Sequence, residues 1–532
     1  MTSVSAAFAV SAAAWAERPF LCILPDVAEV YGIEARTWSY CEAGTEIGSL
    51  TARYRSAGYG AGHRVGLMLG NRPAFFFHWL ALNACGVSVV PLSAELRPAE
   101  LDYLCSHSGI SLAVAASSHL VAMREAAVRG DHGFAVMGED DTPPVASPAE
   151  GDGGECAVLY TSGTTGKPKG CVLTNEYFLR AGRWYRQVGG LCAIVPGQER
   201  LITPLPMTHM NAMAYSTMAM LMSGGCVVPL DRFHPRNWWN SVRASEATII
   251  HYLGVMPSML LSAEPLASDC DHHVKFGFGA GVDRRHHAVF EARFGLPLLE
   301  AWAMTETGAG AVVIANQVPR RVGDAVLGKP GPEMDCRIVD EAGDVVSAGD
   351  PGELLVRASG ANPRAGFFDH YLHDPVATEA AWEGGWFHTG DVVRFEPDGN
   401  LIFVDRRKNI IRRSGENIAA VEVETILRRN PLVRDVAVTA VADEVRGEEV
   451  LAFVIPAAPL GDAEMAFAIV QSALEELSYF KVPGWLAFVE ALPVTSTQKI
   501  QRGNLKSWAA EYLAGGTCID TRKLKSRNAR AA

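Results

Sequence analysis

No Lys or Arg precedes Arg18, and the Ala-rich start up to Trp15 lacks the positive flank that a secretory signal needs. It reads as a packed first helix. No apolar run is both long and unbroken. The most apolar stretch, 212–230, is interrupted by Gly224-Gly225 and has no flanking charge pattern, so a buried helix followed by a strand is expected there rather than a membrane span. No two of the 11 cysteines stand at C-x-x-C spacing, and no Asn-x-Ser/Thr acceptor occurs. An odd cysteine count in a long chain reads as free, mostly buried thiols in a reducing cytoplasm. There is no repeat of fixed period. The final Ala-Arg-Ala-Ala is neither a peroxisomal address nor a lipidation signal. With 47 Lys plus Arg against 59 Asp plus Glu, the net charge is −12 and an overall basic footprint for nucleic acid is excluded. A local basic patch for an anionic ligand remains compatible with that balance.

What is present is ample core material. The chain has 532 residues, 48% hydrophobic and 20% charged, which excludes wholesale disorder. At roughly 100–200 residues per domain, two to four units are expected. Residues 64–69 and 86–91 read as buried strands flanking a helix through Phe75–Leu82. The same strand–helix rhythm recurs at 224–229, 247–253 and 274–278, the pattern of a parallel α/β sheet. From Ala325 to about Val404, short alternating strands between Gly/Pro/Asp turns predict an antiparallel β subdomain. After the charged run Asp405-Arg-Arg-Lys-Asn409, a compact α+β unit is expected: helices over 421–429 and 465–477, strands over 433–441, 450–455 and 485–489. The Gly-rich, then basic end reads as a mobile tail. The acid excess is uneven: residues 409–532 hold 15 basic and 15 acidic side chains, leaving 32 against 44 in the rest. The fold class expected is α/β: a large N-terminal domain of parallel α/β subdomains plus a β subdomain, with a small mobile α+β C-terminal domain.

The most informative stretch is Tyr160-Thr-Ser-Gly-Thr-Thr-Gly-Lys-Pro-Lys-Gly170. Glycines let the backbone turn tightly and aim N–H groups at an anion, while hydroxyls and ammonium groups complete a phosphate cradle. It is not a Walker A loop, because Thr161 stands at the Gly position and Pro168 follows Lys167.

With this loop the sequence resembles the acyl-adenylate-forming enzymes, the family of acyl-CoA synthetases, peptide-synthetase adenylation domains and firefly-type luciferases. The resemblance covers roughly residues 15–510. It implies that Thr161, Ser162, Gly163, Thr164, Thr165 and Lys169 surround the pyrophosphate of ATP. Trp302-Ala-Met-Thr-Glu306 is similar to the family's Tyr-Gly-x-Thr-Glu segment. Thr305 then touches the α-phosphate and Glu306 holds Mg²⁺, a hard cation that takes one or two carboxylates plus phosphates. Trp302 keeps an aromatic face for adenine but lacks the phenol oxygen, and Ala303 replaces Gly. Ala280 and Gly281 also fall in the ATP-binding set. Trp386-Phe-His-Thr-Gly-Asp391 implies that Asp391, an acceptor-only group, takes both ribose hydroxyls.

Asp405-Arg-Arg-Lys408 resembles the family's hinge entry. Arg406 would contact ribose and phosphate, and Lys408 would be the pivot, which puts the N-terminal domain at 1–405, the hinge at 406–408, the C-terminal domain at 409–512 and the tail at 513–532. Ser414 and Gly415 resemble the loop that faces the thiol of coenzyme A. Near the end, Pro493-Val-Thr-Ser-Thr-Gln-Lys-Ile-Gln-Arg502 resembles Pro-x-T-x-x-G-K-I-x-R. Lys499 is therefore the candidate catalytic lysine of adenylation, with Gln498 where Gly is usual. His209 matches a position that would gate the carboxylate. The pairs His272-His273 and His286-His287 lack the spacing of a metal site.

The implied reaction has two halves: a carboxylate attacks the α-phosphorus of MgATP, then a thiol displaces AMP. The acyl pocket is expected around His209, Asn211, Gly254, Gly281 and Gly308, apolar and lined by small residues. No acid follows His209, so a free α-amino acid is disfavoured, since its ammonium would be buried unpaired. The leading reading is a cytoplasmic ATP-dependent acid–CoA ligase acting on an apolar acid (fatty, aromatic or carnitine-like), with ATP, Mg²⁺ and coenzyme A. Its partners are these small molecules; no nucleic acid or integral membrane segment is expected, and the oligomeric state is open. The alternative is an acyl-AMP ligase that loads a carrier-protein thiol. A third, a non-enzymatic binding protein with a degenerate site, is opposed by the intact Thr305, Glu306, Asp391, Arg406 and Lys499.

Overall fold

The computed structural model describes residues 1–96, 98–130, 133–161, 168–406, 409–413, 416–443, 446–458, 461–477, 479–494 and 500–525. Two largely parallel sheets form the N-terminal body. In the first, Leu298–Trp302, Phe276–Gly279, Ile249–His251, Arg200–Thr203, Cys226–Pro229 and Pro19–Cys22 run parallel, with Val313–Ile314 and Thr37–Ser39 antiparallel at the edges. Strands such as Cys226–Pro229 and Phe276–Gly279 are buried at every position. They are covered on both faces, which is why they read as unbroken apolar runs. Parallel strands end on one edge, so the segments after Thr203, His251, Gly279 and Trp302 emerge together, where α/β sheets hold their ligands.

In the second sheet, Glu155–Thr161 runs parallel to Ser88–Pro91 and antiparallel to Lys169–Thr174, which takes His370–Tyr371 on its far side. Thr161 and Lys169 face each other in this ladder, so the candidate phosphate loop joins two paired strands. The expected β subdomain is a five-stranded antiparallel sheet built from Val326–Gly328, Leu401–Arg406, Phe387–Phe395, Gly352–Ala358 and Met334–Val339. Over 212–230, a π turn at Asn211–Ser216 leads into helix Thr217–Ser223, Gly224 closes it at φ 71°, and strand Cys226–Pro229 follows. No helix among the described residues is long and apolar enough to cross a membrane.

Beyond residue 409, a second sheet-and-helix unit carries its own core. One cluster packs Ile411, Val423, Val438 and Val454 with the helix Ala463–Glu476 through Ile469 and Val470. Another packs Phe453 and Val441 against Leu505 and Ala509 of a helix, Arg502–Ala514, that the periodicity did not predict. The stretch expected to be a mobile tail is built in as far as Lys525. Ile519–Asp520 pairs antiparallel with strand Trp485–Phe488, and Thr521 Oγ1 donates to the Pro483 carbonyl at 2.7 Å. Lys525 then reaches Glu449 Oε1 at 2.5 Å, beside Arg413, whose Nε lies 2.9 Å from both oxygens.

That buried group has a measurable signature. Burial pushes the Lys525 ammonium down to about 8, against the pull of Glu449. A lysine whose folded pKa lies below its unfolded value loses its proton first in the folded state. Stability gains from this group as pH rises from about 8 toward the ordinary lysine range near 10.4. Lys525→Met should remove that gain. The check is the difference in unfolding midpoint between pH 7.5 and 9.5, wild type against variant.

Candidate active site

Glu306 follows the strand Leu298–Trp302 and is buried. Its Oε1 accepts from the Tyr371 hydroxyl at 3.0 Å, and its carbonyl accepts from Phe368 N at 2.9 Å. Lys169 Nζ sits 4.6 Å above the Tyr371 ring, so the lysine that leaves the candidate phosphate loop and the candidate metal carboxylate share one neighbour. The two ends of the loop are braced by the helix Pro98–Ser108: Tyr103 donates to the Pro168 carbonyl at 3.0 Å, and His107 Nδ1 lies 2.9 Å from the Tyr160 hydroxyl. Thr161 and Lys169 are thus brought to the site. Ser162, Gly163, Thr164 and Thr165 lie outside the described residues.

Asp391 is 1% exposed and stands opposite Arg406 in the ladder between Phe387–Phe395 and Leu401–Arg406. Trp302 Nε1 donates to its Oδ2 at 2.8 Å, and Arg406 Nε lies 2.5 Å from Oδ1. The Arg406 contact pairs charges without the alignment of a hydrogen bond, so Oδ1 is a buried acceptor with no aligned donor. An ion-paired carboxylate oxygen without an aligned donor keeps lone pairs that a ribose hydroxyl would fill. Burial raises the Asp391 pKa, with Arg406 and the Trp302 hydrogen bond opposing. Trp302 therefore does more than offer a ring face: its indole N–H holds this carboxylate.

The segment after Phe276–Gly279 is shaped by a residue that motif matching passed over. Glu300 Oε1 accepts from the backbone N–H groups of Gly281 and Val282 at 2.9 and 3.0 Å. Burial raises its pKa. Gly254 touches the same turn so closely that a Cβ there would lie 1.8 Å from the Gly281 carbonyl oxygen, which explains the glycine. At Gly308, φ is +47°, a Cβ would fall 2.3 Å from the Tyr177 ring, and the carbonyl accepts from Tyr215 at 2.9 Å. Tyr177 also donates to the Thr305 carbonyl at 2.9 Å.

His209 is half-buried, and its Nδ1 accepts from Asn211 N at 3.1 Å. Asn211 Oδ1 lies 2.7 Å from Nδ1 of His251, a fully buried ring also bonded to Tyr185 and Ser216 at 2.9 and 2.8 Å. Burial drives the His251 pKa down to about 3, so the ring is neutral and acts as a fixed strut beneath Asn211. Its only sequence signal is a histidine ending an apolar strand. Around it Trp184, Tyr185, Tyr215 and Phe278 form an aromatic cluster.

Among the described residues no group of three His, Cys, Asp or Glu is placed to hold a metal ion. His272 bonds the Phe294 carbonyl, His286 bonds Ser258, and His287 bonds Glu291 and the Leu298 carbonyl. A single hard oxygen donor such as Glu306, completed by phosphates and water, suits Mg²⁺ rather than a tighter all-protein cage.

At the joint, Asp405 is 1% exposed. Its Oδ1 accepts from Arg406 N at 2.7 Å and from Asn409 Nδ2 at 3.2 Å, and its Oδ2 accepts from Val421 N at 3.0 Å. Val421 is the second residue of the helix Ala420–Leu427, which has no side-chain cap of its own at Ala419. Lys408, Ser414, Gly415 and Lys499 lie outside the described residues.

Comparison with known proteins gives the family and the fold. The family model described as AMP-binding enzyme matches residues 8–363, and that of the AMP-binding enzyme C-terminal domain matches 422–499. The chain is 29% identical over 516 residues to a crotonobetaine/carnitine–CoA ligase of Salmonella paratyphi A, covering 90% of this chain and 97% of that one. It is 30% identical over 519 residues to the ligase of the same name from Citrobacter koseri, with the same coverage of 90% and 97%. Among solved structures, ATP-bound MatB from Rhodopseudomonas palustris superposes with a TM-score of 0.79 at 22% identity, over 95% of this chain and 98% of that one.

Proposed function

Because the chain belongs to the AMP-binding enzyme family, in its acyl-CoA synthetase branch, we propose that it activates an apolar carboxylic acid as its acyl-adenylate and transfers the acyl group to coenzyme A. The observation that carries the reading is Asp391: a buried carboxylate braced by Trp302 and Arg406, with one oxygen lacking an aligned donor. Such an acceptor, close enough to Glu306 for the two carboxylate charges to act on each other, suits a nucleotide's ribose beside its phosphates.

In the first half-reaction, a carboxylate oxygen of the acid bonds to the α-phosphorus. The bond from that phosphorus to the bridging oxygen breaks, and pyrophosphate leaves. No general base is needed, since the acid is already ionised. Mg²⁺ bound at Glu306 would neutralise phosphate charge. Thr161, Ser162, Gly163, Thr164, Thr165 and Lys169 would hold the pyrophosphate end, Thr305 the α-phosphate, Ala280, Gly281 and Trp302 the base, and Lys499 the oxygen charge that builds during attack. In the second half, the sulfur bonds to the acyl carbon, the carbon–oxygen bond to AMP breaks, and the thiol proton passes to solvent. Ser414 and Gly415 would face that thiol after the C-terminal unit (409–512) turns about the 406–408 segment at Lys408.

His209, Asn211, Gly254, Gly281 and Gly308 would line the acid. An aromatic surround suits an apolar or aromatic acyl group, and ring faces also attract a quaternary ammonium. The relatives named as crotonobetaine/carnitine–CoA ligases make a betaine one arm of the test.

Pyrophosphate release should be measured over a panel of fatty, aromatic and betaine acids, with and without coenzyme A. AMP and acyl-CoA formation with at least one acid is expected. Adenylate that accumulates without coenzyme A and loads only a carrier-protein thiol favours the second reading, an acyl-AMP ligase. No ATP consumption with any acid overturns both.

A further inference from the structure

A glutamate side chain has three rotatable bonds, and a metal site needs its carboxylate set before the cation arrives. Glu306 is held by Tyr371, a residue that the sequence motifs did not single out, and the Cys171 thiol also reaches it. Tyr371 is itself held from several sides. It stands opposite Cys171 in the ladder between Lys169–Thr174 and His370–Tyr371. Its backbone N–H donates to Thr378 Oγ1 at 2.9 Å. Its ring packs against Phe368 with centroids 4.7 Å apart. Phe368 N in turn donates to the Glu306 carbonyl, so backbone and side chain of Glu306 are fixed by one short segment.

We propose that Tyr371 is a positioning residue for adenylation: its hydroxyl orients the Glu306 carboxylate toward the metal, and its ring face keeps Lys169 at the phosphate end of the site. The proposal rests on the ligase reading above. The hydroxyl engages Oε1 at 3.0 Å, and a carboxylate with about four lone-pair sites keeps the rest for a hard cation. The ring supplies a cation–π contact at 4.6 Å to Lys169 that a phenylalanine would keep. The two duties can therefore be separated by substitution.

The test uses full-length Tyr371→Phe and Tyr371→Leu. Binding of Mn²⁺ in the presence of α,β-methylene-ATP is followed by electron paramagnetic resonance, and pyrophosphate exchange is followed against Mg²⁺ concentration. Groups that orient a metal ligand are worth about 10–100-fold in metal affinity or activity. Tyr371→Phe should weaken Mn²⁺ about tenfold and raise the Mg²⁺ requirement of exchange. The KM for the acid and the thiol step from supplied acyl-adenylate should stay unchanged. Tyr371→Leu should add a rise in KM for ATP, because Lys169 loses its ring. Unchanged Mn²⁺ affinity in Tyr371→Phe overturns the proposal, as does an equal loss in both half-reactions. If the wild type binds Mn²⁺ with the analogue yet turns over no acid, the ligase reading fails alone and the resonance comparison still decides Tyr371.

Discussion

Lys499→Ala is expected to abolish acyl-adenylate formation while leaving transfer to coenzyme A from a supplied acyl-adenylate within a few-fold of wild type. The asymmetry follows from where charge develops. Attack on the α-phosphorus spreads negative charge over the phosphate oxygens, and a carboxylate nucleophile adds its own. A preorganised cation at that point is worth about 3–4 kcal/mol, or about 10²–10³ in kcat. Displacement of AMP by a thiol builds charge on the acyl carbonyl oxygen instead, and in the proposed cycle Lys499 has swung away by then. Pyrophosphate exchange reports the first half, and thioester formation from synthetic adenylate reports the second. Equal loss in both would sink the idea of one small domain presenting two faces.

Asp391→Asn should separate activity from stability. Asparagine keeps an oxygen for the Trp302 indole but gives up the charge facing Arg406 and the full acceptor capacity offered to the ribose. Charge-assisted hydrogen bonds contribute about 1.5–3 kcal/mol each, so kcat/KM for ATP should fall about a hundredfold. The unfolding midpoint should not fall with it. A carboxyl whose folded pKa is raised by burial binds its proton more tightly folded than unfolded. Its stability contribution is lost as pH rises from the unfolded value near 3.9 through the raised folded value, and the full cost is present at neutral pH. Removing the charge relieves that cost. Calorimetry of both proteins at pH 7 beside ATP kinetics is the check. A variant that loses midpoint and activity together would mark Asp391 as structural.

Much of the N-terminal architecture was legible because parallel strands are buried on both faces and punctuated by Gly or Pro. The run closing at Pro229 and the one closing at Pro91 are examples. The candidate site was proposed from motifs; Ser162, Lys408, Gly415 and Lys499 were named on resemblance alone and lie outside the described residues. What escaped was everything that depends on contacts distant in sequence. Tyr371 and Glu306 are 65 positions apart, and Asn211 and His251 are 40 apart. Neither partner announces the other. The segment 515–525 looked mobile because glycines and basic residues usually face solvent. Its order comes from an open edge of a sheet and from Glu449, neither of which local composition records. Trp302 was half legible: its lost phenol oxygen was visible, but a buried indole also needs a partner for its N–H, and that need pointed toward an acceptor such as Asp391.

The Asp405 carboxylate has a consequence for timing. It belongs to the strand Leu401–Arg406, yet it supplies the missing cap of a helix on the other side of the joint. A cap of this kind is worth about 1 kcal/mol, close to a fivefold preference between two arrangements. In the proposed cycle, turning about Lys408 would break that bond, so the two orientations would not be equally populated at rest. The chain would wait in the arrangement in which Asp405 holds Val421, and it would return there once the nucleotide has gone. A helix end capped from across the proposed hinge would thus act as a clock's default position, set by the single carboxylate of Asp405.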